Sequence, residues 1–445
     1  MSTLLIRNAR IVNEGTIVHA DVWIRNGIVE KLDTNGIAME ADRTIDAEGL
    51  YLFPGLIDDQ VHFREPGLTH KGDLYTESRA AVAGGITSYM EMPNTFPNAV
   101  TLERLEEKYA RAAEVSLANY SFYMGTTNHN IGELLQVDEQ KICGVKIFMG
   151  SSTGDMLVDD TKSLERIFSE VKTLIATHCE VDPIIKQNLE VYKAKYGNRL
   201  TASFHPLIRS EEACYASSSF AVGLAKKHQT RLHVLHISTE KELALFRNDI
   251  PLAEKRITAE ACVHHLWFSD ADYTAKGNYI KWNPAIKTAA DRDAIMQGVL
   301  DNRIDVIATD HAPHTIDEKE LPYVKAPSGG PLVQHALNAM LELHHQGKIS
   351  LERIAEKMCH NVAILFEIDR RGFIREGYYA DLVLVDLNQQ YTVTRDNLFY
   401  KCGWSPFEGT TFHSMVTHTI VNGQVVFENG KFNESTKGMR LRFNR

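Results

Sequence analysis

Residues 52–67 of this chain read Leu52-Phe53-Pro54-Gly55-Leu56-Ile57-Asp58-Asp59-Gln60-Val61-His62-Phe63-Arg64-Glu65-Pro66-Gly67. The apolar residues at the start predict a short buried strand, and the final Pro-Gly pair predicts a turn. The polar side chains between them include Asp58, His62, Arg64 and Glu65. Because burying such charges without partners is costly, we expect the strand to end at a cavity, a metal or an ion-pair network.

Short apolar runs like that of the opening strand recur along the chain. Further apolar strand candidates lie at residues 85–90, 120–124, 144–148, 174–178, 232–236, 257–260 and 306–310. Helix-like segments such as Leu102–Val115 and Glu211–His228 lie between many of them. Eight strands alternating with helices predict an α/β fold, a closed (β/α)8 TIM-like barrel over residues 54–366.

Both ends of the chain have a different texture, that of short β segments with turns. Asn26-Gly27 and Asn422-Gly423 are each strong signals for a tight β-hairpin. Because chain termini often lie close together, we expect both ends to form one domain. The prediction is a small flanking β-sandwich domain built from residues 1–53 and 367–445.

Composition excludes several classes of protein. The chain has 445 residues and a net charge of −10, which argues against a nucleic-acid or anionic-membrane surface. No apolar run approaches the roughly 20 residues that span a bilayer, and the N-terminus lacks a signal-peptide pattern. The six cysteines are scattered singly, so we expect reduced thiols and a cytoplasmic location.

Chemically active side chains recur at the ends of the predicted strands. They are His62, Asn94, Lys146, His178, His236 and Asp310. In a (β/α)8 barrel these strand ends meet at one mouth, where active sites lie. Imidazole and carboxylate are ligands that suit zinc.

Taken singly, each of these residues has an ordinary structural explanation. Lys146 could be an outward-facing lysine and Asp310 a helix cap. The coincidence at successive strand ends favours a shared site instead. The remaining histidines in these regions are expected to be structural, namely His70, His233, His264, His265 and His311.

Several motifs together carry a resemblance to a known family. They are residues 54–67, Met92-Pro93-Asn94-Thr95, residues 144–150, residues 233–239, residues 308–314 and residues 372–383. In this order they resemble the dihydroorotases of the cyclic amidohydrolase group, and the resemblance covers nearly the whole chain. It implies a (β/α)8 barrel with a flanking β domain. It also implies zinc-dependent, reversible hydrolysis of dihydroorotate to N-carbamoyl-aspartate in pyrimidine synthesis.

The resemblance further implies a role for each matched residue. His62 would bind one zinc, and His178 and His236 the second. Lys146 would be N-carboxylated and bridge the metals, while Asp310 would be both a ligand and the catalytic proton shuttle. The implied substrate contacts are Arg64 and Asn94 to the carboxylate, with Asn283, His314, Ser328 and Gly329 around the ring.

One position departs from the family pattern. The first-strand motif of the family places two histidines two residues apart, but here Gln60 stands where the first belongs. A neutral amide is a weaker zinc ligand than imidazole. We therefore expect the metal position of Lys146, His178 and His236 to fill firmly, and its neighbour weakly or not at all.

The sequence leaves other functions open. A hydantoinase or allantoinase would share the chemistry, but its substrate lacks the ring carboxylate that gives Arg64 a purpose. A non-catalytic partner of a pathway enzyme such as aspartate transcarbamoylase is a third reading. The family commonly forms homo-oligomers, and we expect a small-molecule substrate rather than a nucleic acid or a membrane.

Overall fold

The computed structural model describes residues 2–150 and 156–445. Its strands in chain order are β1 (Thr3–Asn13), β2 (Thr16–Arg25), β3 (Ile28–Asp33), β4 (Arg43–Asp46), β5 (Tyr51–Pro54), β6 (Leu56–Val61), β7 (Ile86–Glu91), β8 (Asn119–Phe122), β9 (Met124–Gly125), β10 (Val145–Phe148), β11 (Ile175–His178), β12 (Leu232–Val234), β13 (Ile257–Cys262), β14 (Val306–Ala308), β15 (Leu382–Asp386), β16 (Tyr391–Thr392), β17 (Thr411–Phe412), β18 (Met415–Val421), β19 (Gln424–Glu428) and β20 (Lys431–Phe432).

The α-helices of the described residues lie between these strands. They are α1 (Leu74–Ala83), α2 (Leu102–Val115), α3 (Ile131–Leu134), α4 (Thr161–Glu170), α5 (Asp182–Tyr196), α6 (His205–Ile208), α7 (Glu211–His228), α8 (Val263–Trp267), α9 (Tyr273–Lys276), α10 (Ala289–Leu300), α11 (Ile316–Lys319), α12 (Ala336–His345), α13 (Leu351–Ala355) and α14 (Asn361–Phe366). No helix in the described part of the chain is long and apolar enough to cross a membrane.

The central strands close into a barrel. Strands β6–β8 form one parallel group and β9–β14 another. Only Tyr123 separates β8 from β9, and its N–H donates to Glu91 O of β7 over 3.0 Å. The barrel closes between the ends of β6 and β14, where Val61 pairs in parallel with His311 and His62 N donates to His311 O over 2.7 Å. With β8 and β9 acting as one strand, the described residues form a ring of eight, and the predicted (β/α)8 barrel is confirmed.

Local sequence explains where the long helices begin and end. The helices α2 and α7 have the bounds that the sequence predicts. The Thr101 side chain accepts from Arg104 N, and the Ser210 side chain accepts from Ala213 N, so each helix starts at a side-chain cap. The helix α7 ends at Gln229, whose φ of 57° leaves the helical region.

The flanking β domain draws strands from both ends of the chain, as predicted. One large sheet has the order β20-β19-β18-β15-β5-β1-β2-β3, with β4 beside β1. The two ends join where β5 and β15 pair antiparallel, with Phe53 opposite Val383. The predicted hairpins at Asn26-Gly27 and Asn422-Gly423 connect β2 to β3 and β18 to β19. The domain boundaries at residues 53 and 366 stay a prediction.

A buried ion pair ties the two parts together. Arg371 pairs with Asp381, and both side chains are 3% exposed. Asn119 of the barrel strand β8 donates to the same carboxylate over 3.2 Å, and Asn422 N donates to it over 2.8 Å. The six cysteines are all buried and unpaired, which agrees with the expected reduced thiols.

Candidate active site

A cavity of about 650 Å³ opens at the C-terminal ends of the barrel strands. Its walls contain every residue that the sequence assigned to a site, namely His62, Arg64, Asn94, Lys146, His178, His236, Asn283, Asp310, His314, Ser328 and Gly329. Gln60 also lines it. Residues from distant parts of the chain therefore meet in one place, while the roles assigned to them stay predictions.

His62 and Asp310 approach each other on one side of the cavity. His62 Nδ1 lies 2.8 Å from Asn94 Oδ1, and because an amide oxygen accepts, this ring nitrogen carries the proton. His62 Nε2 then has a free lone pair, and it lies 3.1 Å from Asp310 Oδ1. Burial lowers the pKa of His62, which favours the neutral ring. A lone pair and a carboxylate at this distance suit a shared cation.

His178 and His236 form a second converging pair. His178 Nε2 donates to Glu180 Oε2 over 2.8 Å, and its Nδ1 lies 2.9 Å from His236 Nε2. Burial lowers the pKa of both rings, that of His236 well below its ordinary value. Although burial would raise the pKa of Glu180, Arg209 and His178 together lower it. An ionised Glu180 thus fixes which nitrogen of His178 faces its neighbour.

Lys146 projects from β10 into the interior of the barrel. Its side chain is 1% exposed, and among the described residues its Nζ has no hydrogen-bond partner. Burial lowers the pKa of this amine to about 7. An amine buried without a partner is costly, so the structure does not explain Lys146 as an ordinary lysine.

Together these groups fit a divalent cation. Two neutral imidazole nitrogens converge at 2.9 Å, an imidazole and a carboxylate converge at 3.1 Å, and the orphaned amine of Lys146 lies at the same cavity. Imidazole and carboxylate are the ligand types that zinc and similar metals take in proteins. His62, Lys146, His178, His236 and Asp310 are therefore the residues that could hold metal.

Three of the site residues have unusual backbone conformations. Arg64, His236 and Asp310 have φ values of 72°, 40° and 49°, which non-glycine residues rarely adopt. Such strain persists only where surrounding structure imposes it, and it concentrates at functional sites. For Asp310 part of that support is visible, because Trp282 Nε1 donates to its backbone oxygen over 3.2 Å.

Gln60 and Asp58 support Asp310 rather than add ligands. Gln60 Nε2 donates to Asp310 Oδ1 over 3.2 Å, and Gln60 Oε1 accepts from the Cys262 thiol over 3.7 Å. Asp58 accepts from the Thr309 hydroxyl over 2.6 Å and from Thr309 N over 3.2 Å. Burial raises the pKa of Asp58 well above its ordinary value. Both residues thus hold the residues that follow β14.

Arg64 brings a buried guanidinium to the cavity. Its side chain donates from Nε to Pro313 O over 3.0 Å, and Nη2 lies 3.0 Å from His314 Nε2. Lys71 Nζ lies 3.0 Å from His314 Nδ1 and 2.9 Å from Glu318 Oε1. Burial and the neighbouring cation Arg64 lower the pKa of His314 well below its ordinary value. This side of the cavity is therefore positively charged.

The remaining predicted contacts, Asn283, Ser328 and Gly329, also line the cavity. Asn283 Oδ1 is buried and has no hydrogen-bond partner among the described residues, so its amide is available to a ligand. Ser328 O lies 3.0 Å from His314 Nε2. Gly329 has a φ of 125°, and a Cβ there would lie 2.5 Å from Ala312 O. Only glycine fits this close approach.

The histidines that the sequence treated as structural have varied surroundings. His311 Nε2 lies 2.8 Å from Glu77, and His70 is an exposed neighbour of Glu318. The group Asp59, His233 and Glu260, and the group Cys262, His264 and His265, are each close enough to share an ion. Asp59 and Glu260 offset the effect of burial and raise the pKa of His233 to about 9, which indicates an internal ion pair.

Sequence reasoning missed three residues that line the cavity or contact a residue that lines it. Glu180 orients His178, Lys71 adds a second cation, and Trp282 covers the floor beside Asp310. For Glu180 a signal was available, since it lies two residues beyond His178 at the same strand end. Lys71 and Trp282 offered none, because loops bring them to the cavity.

The chain matches the amidohydrolase family over residues 51–426, a range that includes every predicted site residue.

Individual relatives are similar over nearly their full length. The chain is 34% identical over 402 residues to the dihydroorotase of Halobacterium salinarum, covering 90% of this chain and 92% of that protein. It is 32% identical to the allantoinase of Deinococcus radiodurans, covering 99% and 98%. Its structure is similar to the L-hydantoinase (dihydropyrimidinase) from Arthrobacter aurescens, with a TM-score of 0.93, 28% identity, and coverage of 99% and 100%.

Proposed function

Because this chain belongs to the amidohydrolase family, we propose that it is a zinc-dependent dihydroorotase. It would hydrolyse (S)-dihydroorotate reversibly to N-carbamoyl-L-aspartate, a step of pyrimidine biosynthesis. Similarity to a dihydroorotase supports the choice. Similarity to an allantoinase and a hydantoinase makes the identity of the ring the point to test.

The observation that carries the proposal is the unpaired guanidinium of Arg64. This side chain is 7% exposed, and within residues 2–150 and 156–445 no carboxylate lies within ion-pair distance of it. Burial lowers its pKa to about 10, so it stays charged at neutral pH. A buried cation without a counterion is costly, and the planar guanidinium fork matches a carboxylate. Dihydroorotate supplies that carboxylate, whereas hydantoin and allantoin do not.

The test is a comparison of kcat/KM for dihydroorotate, hydantoin and allantoin on the purified, zinc-loaded protein. We expect dihydroorotate to be preferred by about 100-fold, the worth of a buried charge-assisted pair. A preference for allantoin or hydantoin would overturn the proposal. No hydrolysis of any ring, even with added zinc, would favour a non-catalytic partner of a pathway enzyme.

His178, His236 and an N-carboxylated Lys146 would hold the firmly bound metal, and His62 and Asp310 would face its neighbour. The depressed pKa of Lys146 leaves much of the amine unprotonated, the form that can add carbon dioxide. When bound, the metal supplies Lewis-acid activation of water and of the amide carbonyl.

The proton transfers fall to Asp310. Its carboxylate would accept the proton of the attacking water as the new C–O bond forms, and would return it to the ring nitrogen as the C–N bond breaks. The amide nitrogen of Gln60 donates to Asp310 Oδ1 and so fixes its orientation. Arg64 and Asn94 would hold the substrate carboxylate during both steps, with Asn283 and His314 beside the ring.

Removing the Arg64 guanidinium should change specificity more than chemistry. Arg64→Met is expected to lower kcat/KM for dihydroorotate by about 10- to 150-fold, mainly through KM, because a charge-assisted contact of about 1.5–3 kcal/mol is lost. Hydantoin turnover serves as the internal control, since that ring has no carboxylate to lose. Equal losses on both rings would show that Arg64 has no role in specificity.

Gln60 supports a metal count below two. Because Asp310 Oδ1 can only accept, the Gln60 amide nitrogen faces it and the amide oxygen faces Cys262. The amide thus offers the site a donor instead of a lone pair. We propose one firmly held zinc and a weak or empty neighbouring position.

Metal analysis after dialysis tests this proposal. We expect about one zinc per chain in the wild type and a value approaching two in Gln60→His, which restores an imidazole ligand. Gln60→Leu is the matched control, since it removes the amide without adding a ligand and should leave the zinc content unchanged. Two zincs that survive dialysis in the wild type would contradict the proposal.

The physiological setting follows from the same proposal. Dihydroorotase activity belongs to a metabolic pathway of the cytoplasm, which the unpaired, buried cysteines support. We also propose a homo-oligomer. Sedimentation of the purified chain, alone and with aspartate transcarbamoylase, distinguishes self-association from a pathway complex.

A further inference from the structure

Two buried lysines contact the segment that forms one wall of the cavity. This segment, residues 322–330, is called the pocket loop here, and it is neither helix nor regular strand. Its residues Pro327, Ser328 and Gly329 line the cavity. Because an irregular loop has few internal hydrogen bonds, its conformation depends on what it packs against.

Lys319 contacts the C-terminal part of the pocket loop. Its side chain is 1% exposed. Its Nζ donates to Gly329 O over 2.7 Å and to Pro327 O over 3.0 Å, with Lys281 O at 3.5 Å. The Lys319 amine therefore connects Pro327 and Gly329, the two residues that flank Ser328, to the backbone of Lys281.

Lys281 makes similar contacts with the N-terminal part of the pocket loop. Its Nζ donates to Tyr323 O over 2.8 Å and to Ala326 O, and its side chain is 7% exposed. Its backbone oxygen accepts from Gly329 N over 2.8 Å. Since Trp282, the next residue, lines the cavity, these bonds fix the distance between the two walls.

Neither lysine has an ion-pair partner among the described residues, which makes the arrangement different from an ordinary buried salt bridge. Backbone carbonyls take the place of a carboxylate. Burial lowers the pKa of both amines, to about 7 for Lys281, but a neutral amine still carries two N–H donors. The contacts to the pocket loop thus persist in either protonation state.

The contacts of Lys319 determine the direction of one backbone donor. The Pro327–Ser328 peptide is trans, so its C=O and N–H point in opposite directions. With Pro327 O held by Lys319, the Ser328 N–H points away from the buried amine. Within the described residues this N–H has no acceptor, although Ser328 lines the cavity.

We propose that Lys281 and Lys319 are positioning residues, which hold the pocket loop so that Ser328 N–H donates to an oxygen of the substrate ring. This inference rests on the proposed hydrolysis of a cyclic amide. It assigns the two lysines a part in substrate recognition although neither side chain reaches the cavity.

Kinetics of Lys319→Met give the first test. We expect KM for dihydroorotate to rise about tenfold, the worth of one neutral hydrogen bond, with kcat changed much less. Lys281→Met tests the same loop through its other anchor and should change KM in the same direction. The zinc content of both variants should equal that of the wild type.

Trypsin cleavage gives a readout that is independent of activity. Lys325 is an exposed residue of the pocket loop, and release of the loop should accelerate cleavage after it in both variants. If the wild type does not hydrolyse dihydroorotate, the proposed function fails, but this cleavage rate still decides whether the lysines hold the loop.

Lys357→Met is the matched control. Lys357 is equally buried and donates to Ile304 O and Asn302 Oδ1, each over 2.9 Å, at the start of β14 and so at the opposite end of the barrel. Its loss should leave KM and cleavage at Lys325 unchanged. Wild-type KM and cleavage in Lys319→Met and Lys281→Met, or equal changes in Lys357→Met, would overturn the proposal.

Discussion

Asp310→Asn is expected to lower kcat for dihydroorotate by about a thousandfold, because an amide cannot accept the proton of the attacking water. The substitution preserves the shape of a buried side chain, in a residue that is 5% exposed, whose Oδ1 lies beside His62 and Gln60. We therefore expect the fold and the zinc held by His178 and His236 to survive. Steady-state kinetics together with zinc analysis of the same preparation check this result.

The chain offers a matched control at the other end of β14. Asp305 is buried and pairs with Lys255 over 2.6 Å, and its second oxygen accepts from Ala259 N. Asp305→Asn should reduce the free energy of unfolding by about 3 kcal/mol, because a buried cation loses its partner, but should leave kcat unchanged. An Asp310→Asn protein with more than about a tenth of the wild-type kcat would exclude Asp310 as the proton shuttle.

The barrel could be predicted because its information is local. Every predicted strand is a short apolar run, and each overlaps an observed strand. The helices α2 and α7 carry their own start signals in Thr101 and Ser210. The hairpins at Asn26-Gly27 and Asn422-Gly423 likewise depend on the residues at the turn. That both ends of the chain contribute to one β domain required only the expectation that the termini are neighbours.

The sequence could predict which residues line the cavity, but not how their backbones and contacts are arranged. Residues at strand ends converge by the geometry of a barrel, so His62, Lys146, His178 and Asp310 were within reach of the sequence. The positive φ of His236 and the contacts of Lys281 depend on packing between distant segments. No local pattern encodes such contacts. Since every residue has a backbone carbonyl, the sequence does not show which carbonyl groups accept from a lysine.

Lys146→Met should abolish both metal binding and activity without destabilising the metal-free protein. We expect kcat to fall by at least about a thousandfold, because the bridging group that would hold the metal is lost. Methionine has a similar length and no polar atom that needs a partner. Since Nζ of Lys146 has none among the described residues, the free energy of unfolding should stay equal or rise. Urea unfolding in a chelator, with zinc analysis, measures both effects.

The pH dependence of the unfolding free energy distinguishes removal of a buried, unpaired amine from simple loss of a contact. In the metal-free protein burial lowers the pKa of Lys146 from 10.5 to about 7. Between these values the unfolded chain binds more protons than the folded one, so the destabilisation caused by the buried amine decreases as pH rises from about 7 to 10. The difference in unfolding free energy between Lys146→Met and the wild type should therefore shrink over this range.

Lys357→Met provides the contrast that makes the result decisive. Lys357 is as buried as Lys146, but its amine is satisfied by Asn302 and Ile304. Removing it leaves Ile304 O without this donor, while Asn302 Oδ1 still accepts from Arg353. The loss should therefore destabilise the protein by about 1–3 kcal/mol while zinc and kcat are retained. Stability loss in Lys146→Met equal to that in Lys357→Met, with zinc still bound, would mean that Lys146 is an ordinary core lysine. The opposite pattern identifies an amine kept without a partner because its partner is the metal site.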